Sequence, residues 1–150
     1  MRFYLDTNAF IEAVETPGRT AEAFGMVLQR AGRSNLPIAS VTSELTLAEL
    51  LVKPIRDRDE ALVAAYNNLL AGGGEAVATI PISLDILRDA ARILAHHKGL
   101  KLPDAIHVAT AERASCTQIL SSDKRLQSGT RLPVWDTHGA DLAAFIEMMS

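Results

Sequence analysis

The sequence predicts an α/β domain of three layers, with helices on both faces of a central, mostly parallel sheet of about five strands. Short apolar runs typical of buried strands alternate along the chain with longer stretches in which apolar residues recur at helical spacing. This alternation favours parallel strands joined by right-handed crossovers. At 150 residues, 48% of them hydrophobic, the chain has the size of one compact domain, and we expect a single domain over residues 1–150.

Five segments have the composition of strands. The first is a short apolar run that stops at Asp6, and the fourth leads into Ser121 and Asp123. The predicted strands cover residues 2–5, 38–40, 76–80, 117–120 and 133–135. Because parallel sheets bind ligands beyond the carboxyl ends of their strands, the acidic residues that follow these strands are the first candidates for a site.

Helices are predicted where a capping residue or a proline precedes apolar residues at helical spacing. Thr7 is expected to cap the first helix, Pro54 to close the third and Ser83 to start the fifth. The sixth begins near Pro103, a residue that suits a first turn. The fifth is expected to bury one apolar face, formed by Leu84, Leu87, Ala91 and Leu94. Further helices are predicted over about residues 20–31, 57–70 and 141–149, and turns at residues 35–37 and 72–74.

Composition restricts the function without defining it. The formal net charge of −3 argues against a protein that coats nucleic acid by bulk electrostatics, although a nuclease whose acids bind cations remains open. The single cysteine, Cys116, cannot form a disulfide within the chain, which favours a reducing cytoplasm. We expect neither a signal peptide nor a membrane-spanning segment, and therefore a cytoplasmic protein.

Four acidic residues are predicted to face one cleft. Asp6 and Asp123 follow strands and therefore lie at the carboxyl edge of the sheet. Glu49 lies on the helix after the second strand, and Asp104 opens the helix that leads into the fourth. Taken singly, each acid is ordinarily a helix cap, a surface charge or a salt-bridge partner. If the first and fourth strands are neighbours, however, the four carboxylates converge.

Four converging carboxylates repel one another, so that at least one should keep its proton through a raised pKa unless a cation is bound. A divalent cation removes this conflict. Mg²⁺ prefers oxygen ligands and keeps several waters, which suits the activation of water against a phosphodiester. The number of ions is left open.

Four sequence blocks together resemble the PIN-domain family, particularly its VapC-like toxins. They are Leu5-Asp6-Thr7-Asn8 and the segments at residues 46–50, 103–111 and 121–126. The tripeptide Asp6-Thr7-Asn8 alone is a weak signal. All four blocks in this order, each in the expected strand or helix, form a specific one.

The resemblance implies a metal-dependent endoribonuclease in which Asp6, Glu49, Asp104 and Asp123 bind Mg²⁺ or Mn²⁺. It also implies an RNA substrate, a cognate antitoxin and a homodimer. Asn8 and Ser121 match polar positions that support the acids, although relatives often have threonine where this chain has Ser121. The hydroxyl is retained in either case.

Glu44 is the rival of Glu49, since both belong to the same predicted helix. The two are five positions apart and therefore lie on different faces of that helix. The spacing from Thr46 to Glu49 is the one that matches the family block, and we therefore assign Glu49 to the site.

Several basic and histidine residues flank these blocks. Lys124 and Arg125 directly follow Asp123 and are the main candidates for contacts with RNA phosphates. His107, one helical turn beyond Asp104, is either a proton shuttle or phosphate contact, or an ordinary packed or exposed helix histidine. Lys53, Arg56, Lys98 and Lys101 could also position RNA phosphates, although each is ordinarily a solvated surface charge. His96 and His97 end a predicted helix, where positive charge suits the helix dipole, and a structural role is expected for them.

Three other functions are compatible with parts of this pattern. A phosphohydrolase could form an aspartyl-phosphate on Asp6, but Asn8 stands where such enzymes usually present a second acid. A structure-directed DNA nuclease could use the same acidic chemistry. A non-catalytic interaction module of the same fold would need none of the acids.

Overall fold

The computed structural model describes residues 1–30, 39–70 and 77–149, and in it five strands form one sheet in the order β3-β2-β1-β4-β5. The strands are β1 (Arg2–Leu5), β2 (Ala39–Ser43), β3 (Val77–Ile80), β4 (Gln118–Leu120) and β5 (Val134–Trp135). All four pairings are parallel. The predicted fold class is confirmed, with β1 in the centre between β2 and β4.

Seven α-helices and one 3₁₀ helix connect the described strands. They are α1 (Thr7–Val14), α2 (Arg19–Arg30), α3 (Glu44–Arg56), α4 (Glu60–Leu70), α5 (Leu84–His96), α6 (Leu102–Arg113) and α7 (Gly139–Met149), with the 3₁₀ helix at Lys124–Gly129. Over the described residues, none of these helices combines the length and the apolar composition needed to cross a membrane. The turns predicted at residues 35–37 and 72–74 lie outside the described residues.

Side chains of β1 alternate between the two faces of the sheet, as the pleat requires. Phe3 and Leu5 enter a core with helices α1, α2 and α7, in which the ring of Phe145 contacts Phe3 at 4.9 Å and Phe24 at 5.4 Å between centroids. Tyr4 enters the core of the opposite face.

The opposite face packs mainly against α6. Tyr4, Val41 and Ile119 from three neighbouring strands share this core with Val108 and Ala111 of α6. The central strand is therefore covered on both faces, which is the three-layer arrangement that the sequence predicts. It also sets Tyr4 beneath α6, the helix that carries Asp104 and His107.

Three local predictions were wrong. Thr7 does not cap α1 but is its first residue, and Asp6 occupies the N-cap position without a side-chain capping hydrogen bond. Pro54 lies inside α3 rather than closing it, and the helix ends at Arg56. Because Pro54 is in the last turn, its missing backbone N–H costs the helix only one hydrogen bond near its end. The predicted apolar face of α5 is largely exposed, with Leu84 at 69% and Leu87 at 41%. Ile86 and Ala90 are the residues that α5 buries against α6.

Candidate active site

Asp6 and Ser121 meet at the carboxyl edge of the sheet. Each directly follows its strand, and because Leu5 lies opposite Leu120 in the pairing of β1 with β4, the next residues are neighbours. Oγ of Ser121 donates a hydrogen bond to Oδ2 of Asp6 at 2.6 Å. Asp6 is 6% exposed and Ser121 is fully buried. The Asp6 carboxylate is therefore held in one orientation by the strand and by this hydroxyl.

Glu49 reaches the same region from α3. Ser43, the last residue of β2, caps this helix by accepting a hydrogen bond from the N–H of Leu45, so that α3 begins directly beyond the strand. The Glu49 carboxylate accepts hydrogen bonds from the Thr7 hydroxyl and from Nε2 of His107. Its side chain is 31% exposed. Glu49 thus lies between the buried interior and solvent.

His107 lies between two of the predicted site carboxylates. Its Nε2 is 2.9 Å from Oε2 of Glu49 and 3.5 Å from Oδ1 of Asp6. Its other ring nitrogen, Nδ1, is 2.6 Å from the hydroxyl of Tyr4. His107 is only 3% exposed, so of the alternatives left open by the sequence it is a packed histidine, yet one that contacts the candidate site.

Asp104 and Asp123 act first as local caps. Asp104 accepts a hydrogen bond from the backbone at the start of α6 at 2.8 Å, and Asp123 accepts one from the backbone of the 3₁₀ helix at 3.0 Å. Both also interact with the rest of the cluster. The charge of Asp104 acts on His107, and the N–H of Asp123 donates to Oγ of Ser121 at 3.0 Å.

Glu49 and His107 stabilise each other's charged form. Burial lowers the pKa of His107, but the hydrogen bond with Glu49 and the nearby negative charges raise it above its ordinary value. Burial raises the pKa of Glu49, but hydrogen bonds from His107 and Thr7 and the charge of His107 lower it below its ordinary value. Without a metal ion, this pair supplies part of the charge compensation at the site.

The two cations predicted to contact phosphate are both paired with carboxylates. Arg125 donates from Nε and Nη2 to Asp123 at 2.9 and 2.5 Å, and this hydrogen bonding holds the pKa of Asp123 below its ordinary value. Nζ of Lys124 lies 3.3 Å from Oδ2 of Asp136. Asn8 is half-buried in the first turn of α1, and no hydrogen bond joins its side chain to a described residue.

Glu44 and Glu49 have different surroundings. Glu44 is exposed, and its Oε2 accepts a hydrogen bond from the backbone N–H of Ile82 at 3.0 Å. It therefore joins the start of α3 to the segment after β3. Of the two glutamates, Glu49 is the one that contacts His107.

The oxygen groups of this region are of the type that Mg²⁺ and Mn²⁺ bind. Within residues 1–30, 39–70 and 77–149, no three His, Cys, Asp or Glu side chains are arranged so that they could hold a metal ion together. Mg²⁺ ordinarily binds through one or two carboxylates and keeps several waters, so a pair such as Asp6 and Glu49 suffices in kind and number. The donor set therefore fits such a cation.

A family model of the PIN domain matches residues 3–131 of the sequence. This chain belongs to the PIN-domain family. The match includes all four sequence blocks on which the resemblance rests, and the resemblance is thereby confirmed. Comparison with curated protein sequences gave no significant match to this PIN domain.

Solved structures similar to this PIN domain include proteins of toxin–antitoxin systems. A toxin–antitoxin complex from Klebsiella pneumoniae has a chain with 23% identity and a TM-score of 0.63, covering 90% of this chain and 97% of its own. VapBC-1 of nontypeable Haemophilus influenzae gives 19% identity and a TM-score of 0.67, with coverage of 91% and 98%. Mycobacterium tuberculosis VapC20, described as a sarcin–ricin loop cleaving toxin, has 17% identity and a TM-score of 0.63, and the match covers 84% of this chain and 93% of VapC20. At these identities the likeness shows a shared fold.

The His107–Glu49 pair predicts how the stability of the metal-free PIN domain depends on pH. The raised pKa of His107 contributes stability that is complete below about pH 6.5, the ordinary histidine value, and is lost as pH rises through the raised value. The lowered pKa of Glu49 contributes stability that is complete above about pH 4.3 and is lost as pH falls through the lowered value.

Thermal melts in EDTA between pH 5 and 9 would measure this dependence. We expect Tm to fall towards alkaline pH in the unmodified protein, and to fall less steeply in Glu49→Gln, which removes the carboxylate that raises the pKa of His107. Equal slopes in the two proteins would contradict the pairing.

Proposed function

We propose that this PIN-domain protein is a metal-dependent endoribonuclease of the VapC toxin type, acting in the cytoplasm. In this proposal Asp6 and Glu49 bind Mg²⁺ or Mn²⁺ first, Asp104 and Asp123 join them by leaving their capping hydrogen bonds, and water hydrolyses an RNA phosphodiester bond. The single observation that carries the proposal is the buried Asp6 carboxylate, which a hydroxyl orients and which shares one histidine nitrogen with Glu49. Two carboxylates facing one nitrogen leave negative charge for which a divalent cation is the natural partner.

The chemistry that a divalent cation supplies in such a site is the activation of water and the stabilisation of charge on the scissile phosphate. The protein groups contribute orientation. Ser121 holds Asp6 while it also accepts a hydrogen bond from the backbone of Asp123, so the two acids keep a fixed separation. Thr7 similarly holds Glu49 from the first turn of α1.

Lys124 and Arg125 are the proposed contacts for RNA phosphates. Both are exposed and directly follow Asp123. Since each is paired with a carboxylate in this structure, contact with phosphate would exchange Asp136 and Asp123 for the RNA. Asn8 is proposed to support the acids from the first turn of α1.

A cognate antitoxin and a second copy of the chain are the proposed protein partners. The structures from Klebsiella and Haemophilus are toxin–antitoxin assemblies, and this chain covers nearly the whole of the chains it matches there. Large apolar side chains at its surface are available for such contacts. Val52 and Ile55 of α3 are 62% and 60% exposed, and Leu102 of α6 is 54% exposed.

Cleavage assays on paired RNA and DNA substrates test the proposal. Bacterial tRNA and ribosomal RNA, and DNA of the same sequences, would be incubated with the protein in Mg²⁺, Mn²⁺ or EDTA. We expect RNA to be cut with either cation, EDTA to abolish cutting, and DNA to remain intact. Cutting that persists in EDTA, or that is confined to DNA, contradicts the proposal.

Two glutamates on α3 provide a matched pair of variants. We expect Glu49→Gln to lower the cleavage rate by about 100-fold or more, since it removes a proposed cation ligand. Glu44→Gln should leave the rate close to that of the unmodified protein, because Glu44 contacts the backbone of Ile82 instead. An inactive Glu44→Gln beside an active Glu49→Gln would reverse the assignment.

The phosphate contacts predict a change in the salt dependence of RNA binding. In EDTA, where RNA is not cut, Lys124→Met should weaken binding and reduce the slope of log K against log salt by about 1. Arg88→Met is the control, since Arg88 is also an exposed cation paired with a carboxylate, Asp85, at 3.0 Å. If Lys124→Met shows the same slope of log K against log salt as the unmodified protein, Lys124 does not contact phosphate and this part of the proposal is wrong.

A further inference from the structure

A buried tyrosine and a buried histidine lie directly behind the carboxylates. Tyr4 is fully buried and His107 is 3% exposed, and their rings pack edge to face with centroids 5.8 Å apart. The Tyr4 hydroxyl is 2.6 Å from Nδ1 of His107. Tyr4 faces α6 because side chains alternate along β1, so the central strand of the sheet fixes the partner of His107.

The contacts of His107 determine which of its nitrogens carries a proton. Nε2 faces carboxylate oxygens of Glu49 and Asp6, which only accept hydrogen bonds when ionised, so Nε2 must be a donor. In the neutral ring, Nδ1 then accepts a hydrogen bond from the Tyr4 hydroxyl. Burial, followed by the charge of Asp6, raises the pKa of Tyr4 far above its ordinary value, and its hydroxyl keeps that proton.

The Tyr4 hydroxyl can also form a hydrogen bond with the charged, doubly protonated ring of His107. When Nδ1 is protonated as well, the oxygen of Tyr4 accepts its hydrogen bond, and the Tyr4 hydroxyl proton can turn to Thr42 or Thr46, which lie beside it. The Nε2 proton therefore points at the carboxylates in either state of the ring.

We infer that His107 is a positioning residue, which holds the carboxylates of Asp6 and Glu49 side by side for a divalent cation and is itself oriented by Tyr4. The inference rests on the proposed function. Because His107 is buried behind the acids, it acts through them and contacts neither RNA nor the reacting water. Its donor replaces part of the charge compensation that a cation would otherwise have to supply, so that the two acids are close together before a cation binds.

Three substitutions separate the parts of this arrangement. His107→Leu removes the donor while filling much of the same volume. His107→Gln keeps a side-chain N–H that can reach Glu49 and is the conservative rescue. Tyr4→Phe removes only the hydroxyl that orients the ring. Thr110→Val is the control, because Thr110 is a buried polar residue of the same helix whose hydroxyl bonds to the Ile106 carbonyl.

Titration of Mn²⁺ into the RNA-free protein by calorimetry measures the effect directly. We expect His107→Leu to weaken Mn²⁺ binding by about 10- to 100-fold, the range found when groups that orient metal ligands are removed. Tyr4→Phe should weaken it less, His107→Gln should restore part of the loss, and Thr110→Val should bind as the unmodified protein does.

Cleavage measured at increasing Mn²⁺ separates positioning from catalysis. If His107 is a positioning residue, the His107→Leu variant should need more Mn²⁺ to reach half of its maximal cleavage rate but should approach the normal kcat when Mn²⁺ is saturating. A normal Mn²⁺ requirement with a lowered kcat would overturn the inference, because His107 would then act in the chemical step.

Failure of this inference can be told apart from failure of the proposed function. If the unmodified protein binds Mn²⁺ and cuts RNA while His107→Leu binds Mn²⁺ equally well, the inference alone is wrong. If the unmodified protein binds no Mn²⁺, both are wrong. Should His107→Leu not fold, Tyr4→Phe decides, and unchanged Mn²⁺ affinity in that variant contradicts the inference.

Discussion

The parallel pairing of β1 with β4 is the interaction on which the candidate site depends. Because Leu5 pairs with Leu120, β1 and β4 end side by side at the same edge of the sheet. Asp6 and Ser121 therefore become neighbours although 115 positions separate them. A shift of one residue in this register would turn Asp6 towards the other face of the sheet. The buried side chains of Phe3, Tyr4 and Leu5 fix the register, since each occupies a core on its own face.

Repulsion between carboxylates is the second constraint, and each acid is bound by at least one hydrogen-bond donor. A hydroxyl binds Asp6, a hydroxyl and an imidazole bind Glu49, one backbone N–H binds Asp104, and a backbone N–H and a guanidinium bind Asp123. These contacts offset part of the negative charge at each acid. They also mean that a cation entering the site competes with Arg125 at Asp123 and with His107, whose Nε2 lies 3.5 Å from Asp6 and 2.9 Å from Glu49.

The sequence was sufficient for the features that follow from strand order and local periodicity. The mostly parallel sheet and the place of Asp6 and Asp123 beyond their strands follow from the alternation of elements. The pairing of the first and fourth strands was an assumption, which the structure bears out. The choice of Glu49 over Glu44 rested on family spacing, and the structure supplies a separate reason, since Glu44 bonds to the backbone of Ile82.

The sequence could not reveal contacts that depend on packing between distant elements. The sequence places His107 one helical turn beyond Asp104, but its partners Tyr4 and Glu49 come from a strand and from another helix. The one sequence signal for the contact between Tyr4 and His107 is the alternation of side chains along β1, which places Tyr4 on the opposite face of the sheet from Phe3 and Leu5. The buried face of α5 was mistaken for a similar reason, because leucines at helical spacing mark an apolar stripe without showing which stripe a neighbouring helix covers.

Anomalous scattering from a crystal of the protein soaked in Mn²⁺ would locate the cation relative to the four acids. We predict an anomalous peak in contact with the Asp6 carboxylate and with at least one of Glu49, Asp104 and Asp123. Fully occupied Mn²⁺ sites elsewhere on the molecule, with the hydrogen bonds around Asp6 unchanged and no peak beside it, would contradict the account.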